Sequence, residues 1–157
     1  MSTAEHELDA PPWQRVEATL MATSRAIRRA YDVRLAPLGV NLTEASLLAF
    51  VGEQGPVTQT QLAERLGMNR ASTGSVVDAM LGRGLVMRDP SATDRRVWLV
   101  RLTDEGRALA AEAAAVDVAL REELRAGLGR AERQQLARTL VRLQANLAAV
   151  LNDSSSS

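Results

Sequence analysis

Two helix-start signals stand close together in this chain, at Thr58 and Asn69, and the one glycine between them is Gly67. In VTQTQLAERLG, Thr58 followed three residues later by Gln61 is a capping box: each side chain satisfies a backbone donor at the helix start. Leu62, Ala63 and Leu66 form that helix's apolar face, and Gly67 is a natural left-handed stop. After Met68, Asn69 can cap a second helix reaching about Arg83. Signals this close leave room for a short turn and nothing longer, so the pair reads as a helix-turn-helix. Gly84-Leu85-Val86 then leads into a strand, the turn from Asp89 to Asp94 reverses it, and Arg96 to Arg101 return. A two-stranded ribbon directly after such a helix pair is a wing, and its tip carries Arg95 and Arg96.

The remainder of the chain reads as helices around this unit. Residues 12 to about 36 place Trp13, Val16, Leu20, Thr23, Ile27 and Ala30 on one helical stripe, ended by Pro37 and Gly39. Leu42-Thr43-Glu44 opens a helix through Leu47, Leu48 and Val51, stopped by the Gly52 to Pro56 turn. Thr103 is a candidate N-cap for a helix to about Gly127, with Asp104 and Glu105 at the favourable end of its dipole. A last helix over roughly 131 to 151 carries Leu136, Leu140, Leu143, Leu147 and Val150 at heptad spacing. Long helices at both ends of a small winged core present more apolar face than that core can cover, so a homodimer is expected. The fold class is therefore mainly α with a small two- or three-stranded β-wing. The expected domains are a disordered leader (1–11), an N-terminal dimerisation helix (12–40), the winged core (41–102), C-terminal dimerisation helices (103–151) and a disordered tail (152–157).

Composition removes several function classes. Cysteine is absent, which excludes disulfides, thiolate metal sites and thiol redox sensing, and the only histidine is His6 in the polar leader. No apolar run approaches the roughly 20 residues of a membrane span, and MSTAEHELDAPP lacks a signal-peptide pattern, so a cytoplasmic protein with no membrane partner is expected. No nucleophile–base pair, metal-ligand spacing or Gly-rich phosphate loop is present, so the expectation is a non-enzyme with no cofactor, no metal and no catalytic residue. The 19 basic and 19 acidic residues cancel overall, but not locally. Residues 58–101 hold seven arginines against four acids, whereas residues 102–129 hold three against six. The winged segment thus carries a positive field suited to a polyanion.

The order of helices, helix-turn-helix, wing and two long helices resembles the MarR family of bacterial transcriptional regulators over roughly residues 12 to 150. The resemblance is carried by Leu42-Thr43, QLAERLGMNRASTGSVVDAMLGRGLV, DPSATDRR at the wing and LTDEGRAL after it. It implies a winged-helix homodimer on double-stranded, pseudo-palindromic operator DNA, released by a small effector, often a phenolic or aromatic anion. A repressor is the expected role. A MarR-like activator without an effector, or a winged-helix adaptor for protein contacts, is the alternative.

A helical wheel puts Thr73, Val77, Met80 and Leu81 on the buried side of the second helix of the motif. Ala71, Ser72, Ser75, Ala79 and Gly82 face the other way, a small and nearly uncharged reading face. Similar proteins often carry arginine or another long polar residue where Ser75 stands. Direct readout is expected from serine hydroxyls and from Ala71 against a thymine methyl, without a bidentate arginine–guanine contact. Phosphates and groove shape should then contribute more of the affinity. Thr58 and Gln59 at one helix start, with Asn69 and Arg70 at the other, suit phosphate; Arg70 could instead pair with Glu64 or Asp78. Arg95 is the expected minor-groove insertion beside Arg96, with Asp94 orienting the pair. Arg83 and Arg88 read equally as solvated residues or DNA contacts. Trp98 is expected to pack against the helix-turn-helix. Trp13 and Tyr31, with Arg25, Arg28 and Arg29, are conceivable effector contacts, but no ligand residue is assigned.

Overall fold

The computed structural model describes residues 10–154; residues 1–9 and 155–157, with them His6 and most of the expected leader, lie outside the described residues. A 3₁₀ turn at Pro12–Gln14 precedes α1 (Val16–Leu35), and a second 3₁₀ turn at Ala36–Leu38 ends it. α2 follows at Leu42–Gln54. Its cap is Asn41: Asn41 Oδ1 accepts from the Glu44 N–H at 3.0 Å and Glu44 Oε2 accepts from the Asn41 N–H at 3.0 Å. A third donor of the same helix start, the Leu42 N–H, reaches Asp32 Oδ1 at 2.8 Å, which ties α2 to the end of α1.

The helix-turn-helix forms where its signals stand. β1 is the two-residue strand Val57–Thr58, α3 spans Gln59–Leu66 and α4 spans Arg70–Gly82. Thr58 Oγ1 accepts from the Gln61 N–H at 3.1 Å, and Gln61 Oε1 returns the bond to the Thr58 N–H at 2.8 Å. Gly67 sits at φ +62°, a left-handed turn that lets the Met68 N–H reach Ala63 O at 3.0 Å. Asn69 Oδ1 caps α4 through the Ser72 N–H at 2.8 Å.

β2 (Val86–Pro90) and β3 (Trp98–Leu102) form the wing, and β3 also pairs with β1, giving the antiparallel order β1-β3-β2. The register sets Val57 opposite Val100, Val86 opposite Leu102 and Pro90 opposite Trp98. The return strand begins at Trp98 rather than Arg96. Arg95 and Arg96 lie in the turn, closed by Ser91 N–H to Val97 O at 2.8 Å and Val97 N–H to Asp94 O at 2.9 Å.

One core joins these elements: Leu47, Leu48 and Val51 from α2, Leu62 from α3, Val77 and Met80 from α4, and Val57, Val86, Val100 and Leu102 from the sheet. Each such side chain contributes about 1.5–3 kcal/mol of burial. Thr73 is also fully buried, and its hydroxyl donates to Asn69 O at 2.9 Å. Leu81 is only half-buried, at the edge of this core. Trp98 corrects an expectation. It shares a β3 face with buried Val100 and Leu102, yet it is 55% exposed, because the ribbon has by then run past the helices.

α5 spans Asp104–Leu124 and α6 spans Arg130–Ser154, past the expected end at 151. Thr103 caps α5: Oγ1 accepts from the Gly106 N–H at 3.0 Å and donates to Gly84 O at 2.7 Å. A smaller cluster of Leu35, Val40 and Ala113 holds α5 to α1, and the Tyr31 hydroxyl donates to Asp117 Oδ1 at 2.7 Å. The chain divides into two compact units after Leu120. Apolar residues remain uncovered in both: Trp13, Val16 and Met21 in the first, and Leu136, Leu147 and Val150 in the second, are more than half exposed. Among the described residues no single helix is long and apolar enough to cross a membrane.

Candidate nucleic-acid interface

The exposed side of α4 begins at its cap. Asn69, Arg70, Ala71, Ser72 and Ser75 are all solvent-exposed, on the side away from Thr73, Val77 and Met80. The Ser75 hydroxyl donates to Ala71 O at 3.1 Å, so toward a ligand it offers chiefly acceptor capacity. Asn69 keeps its side-chain oxygen on the Ser72 N–H. The first-turn N–H groups of Arg70 and Ala71 have no intrahelical partner to take, which leaves donors and a positive helix end facing outward.

Thr58 and Gln59 start α3, both half-buried. Thr58 is occupied by the capping box. Gln59 lies across onto α4: a Cβ on Gly74 would stand 3.0 Å from Gln59 Nε2. At the other end of the ribbon, Asp94 Oδ1 accepts from the Arg96 backbone N–H at 2.9 Å. Asp94 therefore shapes the turn that presents Arg95 and Arg96, through backbone rather than through a guanidinium. Strands of five residues, as here, span roughly 17 Å, so the tip stands well clear of the core.

The seven arginines of residues 58–101 separate by partner. Arg83 pairs with Glu44 at 3.5 Å, Arg88 with Asp78 at 2.9 Å, and Arg101 with Asp89 across the wing. Arg65 lies over the Phe50 ring, 5.8 Å from its centroid. Arg70, Arg95 and Arg96 make no side-chain hydrogen bond or ion pair among the described residues, and Asp78 is taken by Arg88 rather than Arg70. The arginines without an acid or aromatic partner thus stand at the α4 start and the wing tip.

Sequence reasoning offered Asp78 as a partner for Arg70 rather than Arg88, passed over Gly74 and left Arg88 undecided. The signal was available: two residues after buried Val86, Arg88 shares its strand face and so points toward the helices. The conceivable effector contacts do not gather. Trp13 and Tyr31 are separated by most of α1, a 20-residue helix roughly 30 Å long, and Tyr31 is engaged by Asp117. Arg28 Nη1 donates to Thr43 Oγ1 at 3.4 Å. Among the described residues no group of three or more His, Asp or Glu side chains could hold a metal ion.

A MarR family model matches residues 38–97, from the end of α1 to the wing tip. The fold and sequence are also similar to the transcriptional repressor CouR solved on a 23-mer DNA duplex, at 30% identity and TM-score 0.75, covering 82% of this chain and 92% of that one. CouR from Rhodococcus jostii RHA1 bound to p-coumaroyl-CoA is similar at 28% identity and TM-score 0.75, covering 81% and 90% of the two chains. A probable transcriptional regulator from Pseudomonas aeruginosa matches at 30% identity and TM-score 0.67, covering 82% and 99%. With the winged helix-turn-helix in place and a relative at this identity over nearly its whole length, the chain belongs to the MarR family of transcriptional regulators.

Proposed function

We propose that this regulator binds a pseudo-palindromic operator as a homodimer and acts as a repressor that a small aromatic anion releases. The observation that carries the DNA reading is the separation of charges: Arg70, Arg95 and Arg96 are the winged segment's arginines that lack both an acid partner and an aromatic platform. α4 would enter the major groove with Ala71, Ser72 and Ser75 toward base edges, and the wing would place Arg95 in the adjoining minor groove with Arg96 at phosphate. Thr58, Gln59 and Asn69 would sit at the sugar–phosphate ridge between. The uncovered apolar residues of α1 and α6 support the homodimer, since a second copy is the simplest cover for both.

The repressor role and the effector class draw support from CouR, a repressor solved with DNA and with p-coumaroyl-CoA. Release would follow from the effector favouring a dimer whose two recognition helices no longer match half-sites about 10 bp apart. Binding of the purified protein to DNA from upstream of its own gene, followed by addition of phenolic acids and their CoA thioesters, tests this reading. Site-selective binding reversed by one of these compounds is expected. Selection from genomic DNA that returns no preferred site would overturn it.

A further inference from the structure

Arg88 is the cation of the wing that the fold turns inward. Its Nη2 lies 2.9 Å from Asp78 Oδ1 on α4 and 3.2 Å from Gln59 Oε1 at the start of α3. One guanidinium therefore joins the sheet to both helices of the motif. Arg is a donor only, so the Gln59 atom facing it must be the carbonyl oxygen, and this fixes which way the amide points. The NH2 end is left directed at α4, where it stands 3.0 Å from the position a Gly74 Cβ would occupy and takes no partner among the described residues. A methyl at Gly74 would be tighter than ordinary contact with Nε2, and the amide would have to give by a few tenths of an ångström. On the helical wheel Gly74 and Asp78 lie on one side of Ala71, between it and the buried side of α4.

We infer that Gln59 is a fixed hydrogen-bond donor to the operator, and that Arg88, held by Asp78, is a positioning residue that acts through Gln59 rather than by touching phosphate. The inference rests on the DNA-binding reading above. A glutamine free to rotate could offer either its oxygen or its nitrogen to a duplex. With Oε1 turned to Arg88, the N–H end is the one presented, so Gln59 selects an acceptor: a major-groove base acceptor (guanine N7 or O6, adenine N7, thymine O4) or a phosphate oxygen. Asp78 has a second consequence. Its carboxylate stands on the helix that meets the polyanion, and Arg88 neutralises it there.

The test is a mutant cycle on operator binding by the full chain: wild type, Gln59→Ala, the charge-neutral pair Asp78→Asn/Arg88→Ala, and all three changes together. The Arg88–Asp78 pair is exposed and contributes little to folding, and a thermal melt of each variant checks that it does. Gln59→Ala is expected to weaken binding about tenfold, the pair to weaken it similarly, and Gln59→Ala to have no further effect in the pair background. The salt slope of the pair variant should match wild type. Additive losses, or a slope reduced by about two, one for each protomer's Arg88, would show Arg88 acting on its own at phosphate and overturn the inference. A panel of single base-pair changes separates the acceptors: loss of discrimination at one base pair in Gln59→Ala marks a base edge, and a uniform loss marks phosphate. If wild type itself shows no site preference, the DNA reading fails and this inference with it; additive losses with wild type binding normally sink the inference alone.

Discussion

Gly106→Ala should be the most damaging single methyl added to this protein. A Cβ at Gly106 would stand 1.9 Å from Leu85 O and 3.0 Å from Leu85 C, both backbone atoms that cannot rotate away. Relief requires moving that carbonyl by about 1 Å or more before even the tightest tolerated contact is reached. The carbonyl is anchored: it accepts from the Thr103 N–H at 3.1 Å, the Thr103 hydroxyl that bonds Gly84 O lies beside it, and the Leu85 side chain is buried in the core. Overpacking of this kind costs about 1–3 kcal/mol, and disturbing the Thr103 bonds adds about 1 kcal/mol. Ala returns about 1 kcal/mol of helix propensity. The net loss is about 1–3 kcal/mol, a fall of roughly 2–12 °C in Tm for a chain of this size. Gly82→Ala is the matched control, since nothing lies within 4 Å of its Cβ position and its φ is not positive; it should gain about 0.5–1 kcal/mol. Thermal unfolding by circular dichroism at one protomer concentration reads both. A Gly106→Ala protein as stable as wild type, or a Gly82→Ala protein the weaker of the two, would refute the reasoning.

Asn41→Ala removes one half of the α2 capping box and should cost about 1 kcal/mol, read as a small drop in denaturation midpoint; no change would mean that Asp32 alone secures that helix start. Leu147→Glu puts a charge on the heptad seam of α6 where the side chain is already half exposed in a single chain. It should shift sedimentation from dimer toward monomer with little change in helicity, whereas an unchanged sedimentation coefficient would place the dimer contact elsewhere.

The parts of this fold that were legible in the sequence are those fixed by neighbours three or four residues apart. Thr58 with Gln61, Asn69 with the Ser72 N–H, and Thr103 with the Gly106 N–H are bonds between near residues, so the residue types and their spacing suffice. Asn41 escaped because the reading began α2 at Leu42 and did not pair Glu44 with the residue before it. What spacing cannot supply is the partner of a long side chain. Arg83 and Glu44 are 39 positions apart, and Arg88 and Gln59 are 29 apart, so neither meeting is visible until α2, α3, α4 and the wing are assembled. Trp98 illustrates the same point in the apolar sense. Its strand alternation is correct, but how far the helices extend beneath a strand is a property of the packed fold, not of the strand. The positive surplus of the winged segment was countable from composition, while its concentration at Arg70, Arg95 and Arg96 depended on which acids the fold brought to the other arginines.

The central claim is that those three arginines meet DNA phosphate and groove from two protomers. Operator affinity of wild type and of an Arg95→Ala/Arg96→Ala variant, each titrated against salt, tests it most directly. Six contacts per dimer give a slope of log K against log salt of roughly −5, and removing four of them should bring it to roughly −2 with weaker binding at every salt concentration. Equal slopes for the two proteins would contradict the account, because the wing tip would then carry no part of the electrostatic contact.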